Sequence, residues 1–411
     1  MMDATASPTV ALIVFWVAFF EVFYAYVGYP IFLVLAARVW GVGPVPPVAA
    51  DADLPSVTLL IVVNNEEPVI AARLENALAI DYPRDRLDIV VASDGSTDAT
   101  DAIVRTFGPR GVRLAASTPR QGKTATLNRV IPTLRSEVLV LSDGNTFTEP
   151  DSIRKLARWF VDGSVGMVCG KLKLIDHVTG HNVDGLYWRI ETAMKEREAQ
   201  LGAIIGANGA IYALRRSAFV SIPDNTIVDD LVLPLRARMV TGCRLLFDRE
   251  AVAFEETAPQ MTVEFKRRVR IGAGGYQAIA LLWPLLNPRR GWIAVSFLSH
   301  KVLRWVCPFF LVALLAANFP LADEPFYQVF LTAQLSFHLI AIFMVRSNAW
   351  GRLPRIMRLA LMFQSMNLAL LVGFWNWLRG TPRDGWQRTE RVAMEAKGIP
   401  GVSRDTHPQS P

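Results

Sequence analysis

Apolar residues follow two patterns along this chain. Toward either end they form runs long enough to cross a bilayer, and between those they come as short blocks separated by polar turns. Residues 10–39 are almost wholly apolar, no Lys or Arg precedes them, and Arg38 is the first positive charge. A run of that length spans a bilayer with tilt and is too long for a signal-peptide core. Residues 302–321, 326–345 and 357–377 repeat the pattern. Asp323 and Glu324 lie between the first two of these, and Arg346, Arg352, Arg355 and Arg358 follow the second. Positive charge favours the cytoplasmic side, so the acidic hairpin is expected outside, the basic loop inside, and the middle of the chain in the cytoplasm. Four crossings would leave Arg379, Arg383, Arg388 and Arg391 outside, against that bias. Residues 271–286, interrupted by Gly274, Gly275 and Pro284, read as interfacial. Glu21 either faces a partner or wet cavity within the first run or lies among the outer headgroups.

In the middle, residues 57–63, 87–92, 112–115 and 138–143 are predicted strands, alternating with helical patterns through 71–78 and Leu127. Such alternation builds a mostly parallel sheet covered by helices. Tyr82-Pro83 ends the first helix, and Ser96 or Thr97 is placed to cap the second. The block at 138–143 runs four apolar β-formers into Asp143, followed by Gly144, Asn145 and Thr146. Open α/β sheets bind ligands beyond the carboxyl ends of their strands. A carboxylate there can hold a hard divalent cation, which in turn holds a diphosphate; an Asx-type turn would use the same residue. Glu66, Glu67 and Asp94 end the neighbouring strands, and repeated acids at strand ends suggest one shared site. Further on, 165–175 reads as a pair of strands, 186–201 as a helix with Tyr187 and Trp188 near its start, and 206–215 as a glycine-rich turn into a short strand. Asp229-Asp230 opens a helix over 231–239, where acids also serve as simple dipole partners. Residues 264–270 form a basic helical segment.

Composition narrows the class. The 411 residues are 52% hydrophobic with a net charge of +6, and the basic residues cluster beside the apolar runs. A membrane surface and phosphorylated substrates account for that placement, and no nucleic acid is expected. Cys169, Cys243 and Cys307 are too far apart for a metal spacing or disulfide framework, which fits a reducing compartment. No Gly-x-Gly-x-x-Gly follows the first strand, against a nicotinamide dehydrogenase.

Six short motifs occur in order: Asn65-Glu66-Glu67, Ser93-Asp94-Gly95-Ser96, Arg120-x-Gly122-Lys123 with Leu127-Asn128, Ser142-Asp143-Gly144-Asn145, Gly206-Ala207-Asn208-Gly209 and Asp229-Asp230. Together they resemble the membrane-embedded members of glycosyltransferase family 2, which include hyaluronan, cellulose and poly-N-acetylglucosamine synthases, over about residues 57–277. The resemblance implies an α/β fold, a GT-A-type Rossmann-like nucleotide-sugar domain with a mostly parallel sheet, flanked by transmembrane helices. The corresponding division is a span in 1–40, a linker at 41–55, a cytoplasmic catalytic domain at 56–270, interfacial helices at 271–300, spans at 301–378 and a basic polar tail at 379–411.

The implied activity is inverting transfer from a UDP-sugar to a growing polysaccharide at the inner membrane, coupled to export. Alternatives are a lipid glycosyltransferase acting on ceramide or a polyprenol phosphate, and a non-catalytic nucleotide-binding subunit of an export complex. By the same resemblance Asp94 would bond uracil or ribose, and Lys123 would lie near the diphosphate. Asp143 would be the first acid of an Asp-x-Asp motif for Mg²⁺ or Mn²⁺, and Asp230, with Asp229 beside it, the general base. Asn65, Glu67 and Asn208 fall in substrate-binding motifs. Arg267 and Arg270 lie where the family has Gln-x-x-Arg-Trp; lipid headgroups would also suit them. Three departures stand out: Asn145 replaces the second metal-motif acid, Arg268 replaces a channel tryptophan, and Asp229 replaces a glutamate. Gln334, His338, Gln364 and Asn367 are polar at membrane depth, where they would line a sugar path or bond neighbouring helices.

Overall fold

The computed structural model describes residues 8–175, 186–256, 261–347 and 355–380. Arg352, Arg383, Arg388 and Arg391, and the side chains of Tyr187, Arg346, Arg355 and Arg358, lie outside that description. The chain divides into two compact units, one built on a sheet and one helical.

The sheet unit comprises Leu33–Val263 and Ala280–Ser296. Its strands are β1 (Val57–Val63), β2 (Leu87–Asp94), β3 (Val112–Ser117), β4 (Val138–Asp143), β5 (Phe147–Thr148), β6 (Val165–Ile175), β7 (Tyr212–Arg215) and β8 (Arg244–Glu256), in the spatial order β3-β2-β1-β4-β7-β6-β8-β5. Every residue of β1 is buried, because helices cover both faces of a parallel sheet. Ile70, Leu74 and Ala77 of the Glu67–Leu78 helix and Ile153, Leu156 and Ala157 of the Ser152–Ala157 helix complete this core. The first four strands are parallel, but β7 runs antiparallel to both neighbours and β5 antiparallel to β8, so the sheet is mixed.

Register sets the functional edge. Val63 pairs with Ser93 and Val62 with Asp143, so the acids ending β2 and β4 flank the end of β1. Because β7 is antiparallel, Tyr212 at its start pairs with Leu141, which delivers the preceding Gly206–Gly209 turn to the same edge.

Two local expectations are corrected. The segment Val165–Ile175 is one strand of 11 residues, not a pair. Its glycine at 170 sits at a register shift, where a Cβ would come 2.8 Å from the Ala251 carbonyl oxygen and from Ile211. The irregularity is absorbed as a bulge, without a turn. Neither Ser96 nor Thr97 caps the next helix, which begins at Thr100. Asp98 Oδ1 takes the Thr100 N–H at 3.0 Å and hydroxyl at 2.6 Å, while Ser96 and the Thr97 backbone bond to Asn65. The other Asp98 oxygen, Oδ2, accepts the Glu67 N–H at 3.2 Å, so this one carboxylate ties the start of the helix to the end of β1.

The helical unit comprises Met1–Phe32, Glu264–Ile279 and Phe297–Thr381. Phe15 packs edge-on against Tyr327 and Phe330, at ring centroid distances of 4.9 and 5.1 Å. The Met261–Leu282 helix is continuous through Gly274 and Gly275, contrary to the interruption expected there, and gives way to a 3-10 turn at Pro284 as expected. These glycines allow close approach: a Cβ on Gly275 would lie 2.6 Å from the Trp305 ring, and one on Gly373 2.7 Å from the Ala273 backbone nitrogen. Polar groups bond within the unit, with Asn318 donating to Gln334 at 2.9 Å and Asn367 to the Tyr26 hydroxyl at 3.3 Å. Among the described residues two helices, Pro8–Trp40 and Trp292–Leu321, are long and apolar enough to cross a membrane, with mean hydropathies of 2.2 and 1.9.

Candidate active site

The carboxyl edge of the sheet gathers three carboxylates around one lysine. Lys123 Nζ lies 2.8 Å from Asp143 Oδ1 and 3.4 Å from Asp229 Oδ2. The Gly209 N–H donates to Asp230 Oδ2 at 3.1 Å. A Cβ on Gly209 would stand 3.5 Å from Asp143 Oδ2, 3.6 Å from Asp230 Oδ2 and 3.7 Å from Lys123 Nζ. Two carboxylate oxygens from different elements therefore face one small gap, floored by a residue with no side chain.

Local chemistry explains each placement. Asp94 is fully buried at the end of β2, and its two oxygens accept the N–H groups of Gln121 and Gly122, both at 2.8 Å. Those bonds shape the loop that launches the Lys123–Val130 helix. Gly122 enters that helix at φ +102°, and Gly95 at φ +63° would push a Cβ to 2.7 Å from the Arg120 nitrogen, so both positions need glycine. Thr124 donates to the Thr226 carbonyl at 2.8 Å and ties that helix to the segment leading into Asp229. The helix Asp229–Thr241 presents its two acids at its N-terminus, where the helix dipole favours negative charge. Its partner turn is held by the Ala207 N–H donating to the Asp230 carbonyl at 2.8 Å.

Electrostatics separate the two adjacent acids. Asp229 is buried, whereas Asp230 is only partly buried. Burial, reinforced by Asp230 and Asp143 and opposed by Lys123, raises the Asp229 carboxyl from 3.8 to about 6. Burial alone would lower the Lys123 ammonium, but Asp143 and Asp229 outweigh it and hold the group well above its ordinary value. Burial first, then the Asp229 charge, keep the Tyr212 phenol neutral well above its usual range.

A stability prediction follows from Asp229. A carboxyl whose folded value is raised gives stability that is fully present below 3.8 and lost as pH rises through about 6. Asp229→Asn is expected to stabilise the nucleotide-free protein above that pH relative to low pH, seen as a higher melting temperature. The gain should shrink to nothing below about pH 4. A gain independent of pH would contradict the assignment.

The other expected residues are placed as follows. Asn65 adopts φ +56° and accepts the Thr97 N–H, while Glu67 accepts the Ala99 N–H at 3.1 Å, so both join the ends of β1 and β2. Asn208 points inward, donating to the Gly170 carbonyl and accepting from Lys195. Arg267 and Arg270 belong to the helical unit, where Arg267 pairs with Glu264 at 2.9 Å.

Arg73 was not anticipated. It is fully buried, donates to Ser142 Oγ at 3.2 Å and to Asn76 Oδ1 at 3.3 Å, and has no hydrogen-bond acceptor at Nε. Burial lowers its pKa to about 10, with the Asp143 charge opposing that shift. Ser142 in turn donates to the Ala210 carbonyl at 2.8 Å, so this guanidinium braces β4 against the glycine turn from beneath. A signal was present: Arg73 lies on the apolar stripe of Ile70, Leu74 and Ala77. Lys195, within a charged run, gave none.

The donor set fits a hard cation. Asp143 Oδ2 and Asp230 Oδ2 face the Gly209 gap, and three carboxylates outnumber the single lysine. Among the described residues no three acidic, His or Cys side chains are close enough to hold an ion alone. Mg²⁺-type sites commonly use one or two carboxylates and complete their shell with substrate phosphates and water.

Parallel strands with acids at their carboxyl ends, joined by an antiparallel strand carrying a glycine turn, make up a GT-A-like fold. A solved structure, the mannosyltransferase PcManGT from Pyrobaculum calidifontis in complex with GDP-Man and Mn²⁺, shares the fold with a TM-score of 0.66 at 19% identity, covering 90% of this chain and 98% of its own. The family model for glycosyl transferase family 2 matches residues 58–222, and the chain carries a domain of that family. Curated relatives include the probable glycosyltransferase YdaM of Bacillus subtilis, 27% identical over 55% of this chain and 57% of the relative. The beta-monoglucosyldiacylglycerol synthase of Nostoc is 24% identical over 60% and 56%, and the poly-beta-1,6-N-acetyl-D-glucosamine synthase of Staphylococcus aureus 22% over 57% and 58%. The chain thus spans little more than half the length of the curated relatives it matches.

Proposed function

We propose that this protein is an inverting glycosyltransferase that moves a sugar from a UDP-sugar onto an acceptor hydroxyl at the membrane. The observation that carries the reading is the pair of carboxylates, Asp143 and Asp230, facing one gap over Gly209 beside Lys123. Asp230 takes the acceptor hydroxyl proton as the acceptor oxygen bonds to the anomeric carbon and the bond to the β-phosphate oxygen breaks. No second carboxylate is needed as a nucleophile, because inversion proceeds by a single displacement. Lys123, kept protonated by its acidic neighbours, offsets charge developing on the leaving diphosphate. Asp143, with Asp230 nearby, would hold Mg²⁺ or Mn²⁺, which supplies further stabilisation of that charge when bound. Asp94 shapes the loop carrying Lys123, and Arg73 fixes the direction of the β4 end.

A growing polysaccharide is the first acceptor class, by likeness to the poly-N-acetylglucosamine synthase. A glycolipid is the second. It is favoured by the likeness to a diacylglycerol glucosyltransferase and by Arg268 where processive synthases have a tryptophan. In both readings the spans anchor the catalytic domain at the inner membrane, facing the cytoplasm, and export of the product belongs only to the first. The test offers radiolabelled UDP- and GDP-sugars to the purified full chain with native lipid extract. Label is expected in a product, sorted by size for polysaccharide and by organic extraction for glycolipid. Sugar release to water alone, with every donor and acceptor fraction, would overturn the reading.

A further inference from the structure

Away from the carboxylates, the sheet unit has a cavity of about 440 Å³ lined by Trp40, Val42, Pro44, Leu201, Arg238 and Arg244, among others. Its position relative to the apolar helices is defined by the sequence itself. Trp40 is the last residue of the Pro8–Trp40 helix, and Trp292 is the first of the Trp292–Leu321 helix. The two indoles lie against each other with ring centroids 5.5 Å apart. One end of each candidate span thus meets at the cavity rim, and paired tryptophans mark the headgroup level of a bilayer. The segment that follows is pinned there, with the Val42 N–H donating to the Gln200 carbonyl at 2.9 Å, while the Val42 and Val45 side chains stay exposed.

Charge at the cavity is one-sided. Arg238, in the last turn of the Asp229–Thr241 helix, donates to the Gly202 carbonyl at 2.7 Å. Arg290 does not itself line the cavity; its charge acts on Arg238 from nearby, and it donates to the Pro284 carbonyl at 3.1 Å. Neither has a carboxylate within ion-pair distance among the described residues, whereas Arg244, which also lines the cavity, pairs with Asp162 at 2.9 Å. Burial first, and the nearby Arg290 charge, lower the Arg238 pKa. A guanidinium has five N–H donors in a fork that suits phosphate oxygens, so both groups keep donors to spare.

We infer that this cavity binds the phosphodiester headgroup of an anionic phospholipid from the adjoining leaflet. Arg238 and Arg290 take the phosphate, and an acyl chain runs along Trp40 and Val42. Apolar wall, unpaired cations and bilayer-level tryptophans are together what such a lipid matches, and a free anion would use only the arginines. Arg238 lies eight residues along the same helix from Asp230, about 12 Å at 1.5 Å per residue, so the site is separate from the transfer chemistry. The inference rests on reading the two helices as spans and is independent of donor and acceptor.

Native mass spectrometry of the detergent-purified full chain tests it, with phosphatidylglycerol, phosphatidylcholine and inorganic phosphate as probes. Wild type is expected to retain one phosphatidylglycerol under conditions that strip phosphatidylcholine, with phosphate failing to displace it. The double variant R238Q/R290Q should bind phosphatidylglycerol about tenfold or more weakly, and R238K/R290K should recover most of it. Equal retention of both lipids, or displacement by phosphate, would overturn the proposal even where the glutamine variant does not fold. Alkaline extraction of membranes is the separate test of the spans: release of the chain would refute them without touching the lipid-selectivity result.

Discussion

Asp230→Asn is expected to reduce sugar transfer by about 10²–10⁴-fold and to leave nucleotide binding unchanged, since a positioned general base is worth that much. Asp230 is the only partly buried member of the acidic pair, with Oδ2 oriented by the Gly209 N–H at 3.1 Å. Asn keeps that bond as an acceptor through its amide oxygen and keeps the volume, but does not take a proton from the acceptor hydroxyl. The loss should therefore fall on kcat, with the donor KM held, because the interaction removed exists only in the transition state. Asp229→Asn is the matched comparison: Asp229 is buried against Lys123, so its loss should disturb the lysine and raise donor KM as well. Equal kcat losses in the two variants with unchanged KM would reassign the base. Wild-type turnover in Asp230→Asn would remove it from the mechanism.

The second large effect concerns the cation. Activity is expected to need Mg²⁺ or Mn²⁺, to stop in EDTA and to return with added metal. Asp143→Ala should lower turnover by about 10²–10³-fold, as loss of a preorganised charge stabiliser does. Asp143 Oδ1 already pairs with Lys123, which leaves one oxygen toward the Gly209 gap. With so few protein ligands, cation affinity should be weak alone and rise when nucleoside diphosphate is present. Mn²⁺ binding followed by its paramagnetic signal, with and without UDP, measures that coupling independently of turnover. Full activity in EDTA, or Mn²⁺ binding untouched in Asp143→Ala, would refute the assignment.

Much of the edge was legible because strand ends are written locally. An apolar block closing on an acid, as at Leu141-Ser142-Asp143, announces both the strand and where its carboxyl end delivers a charge. The glycine turn at Gly206–Gly209 and the acids at Asp229-Asp230 were equally visible as residue types in order. What those side chains bond to was not visible. Asp94 has its oxygens on the backbone of Gln121 and Gly122, and Asn208 on Gly170 and Lys195, through contacts 27 or more residues apart or across different elements. No local pattern specifies such pairings. They arise when parallel strands bring remote loops to one edge.

The sequence by itself determined the alternation of strands and helices, the apolar runs at 10–39 and 302–321 that fall within the helices Pro8–Trp40 and Trp292–Leu321, and the identity of the acids at the site. Those depend on periodicity, length and residue type, which neighbours along the chain carry. Tertiary structure alone decided that β7 enters antiparallel, bringing Gly209 between Asp143 and Asp230. It also decided that Lys123 is shared by Asp143 and Asp229, that Arg73 lies buried beneath β4, and that Asp229 is buried and pushed to about 6 while Asp230 is only partly buried. Each of these is a matter of burial and of distance between charges, and both are set by how the elements pack.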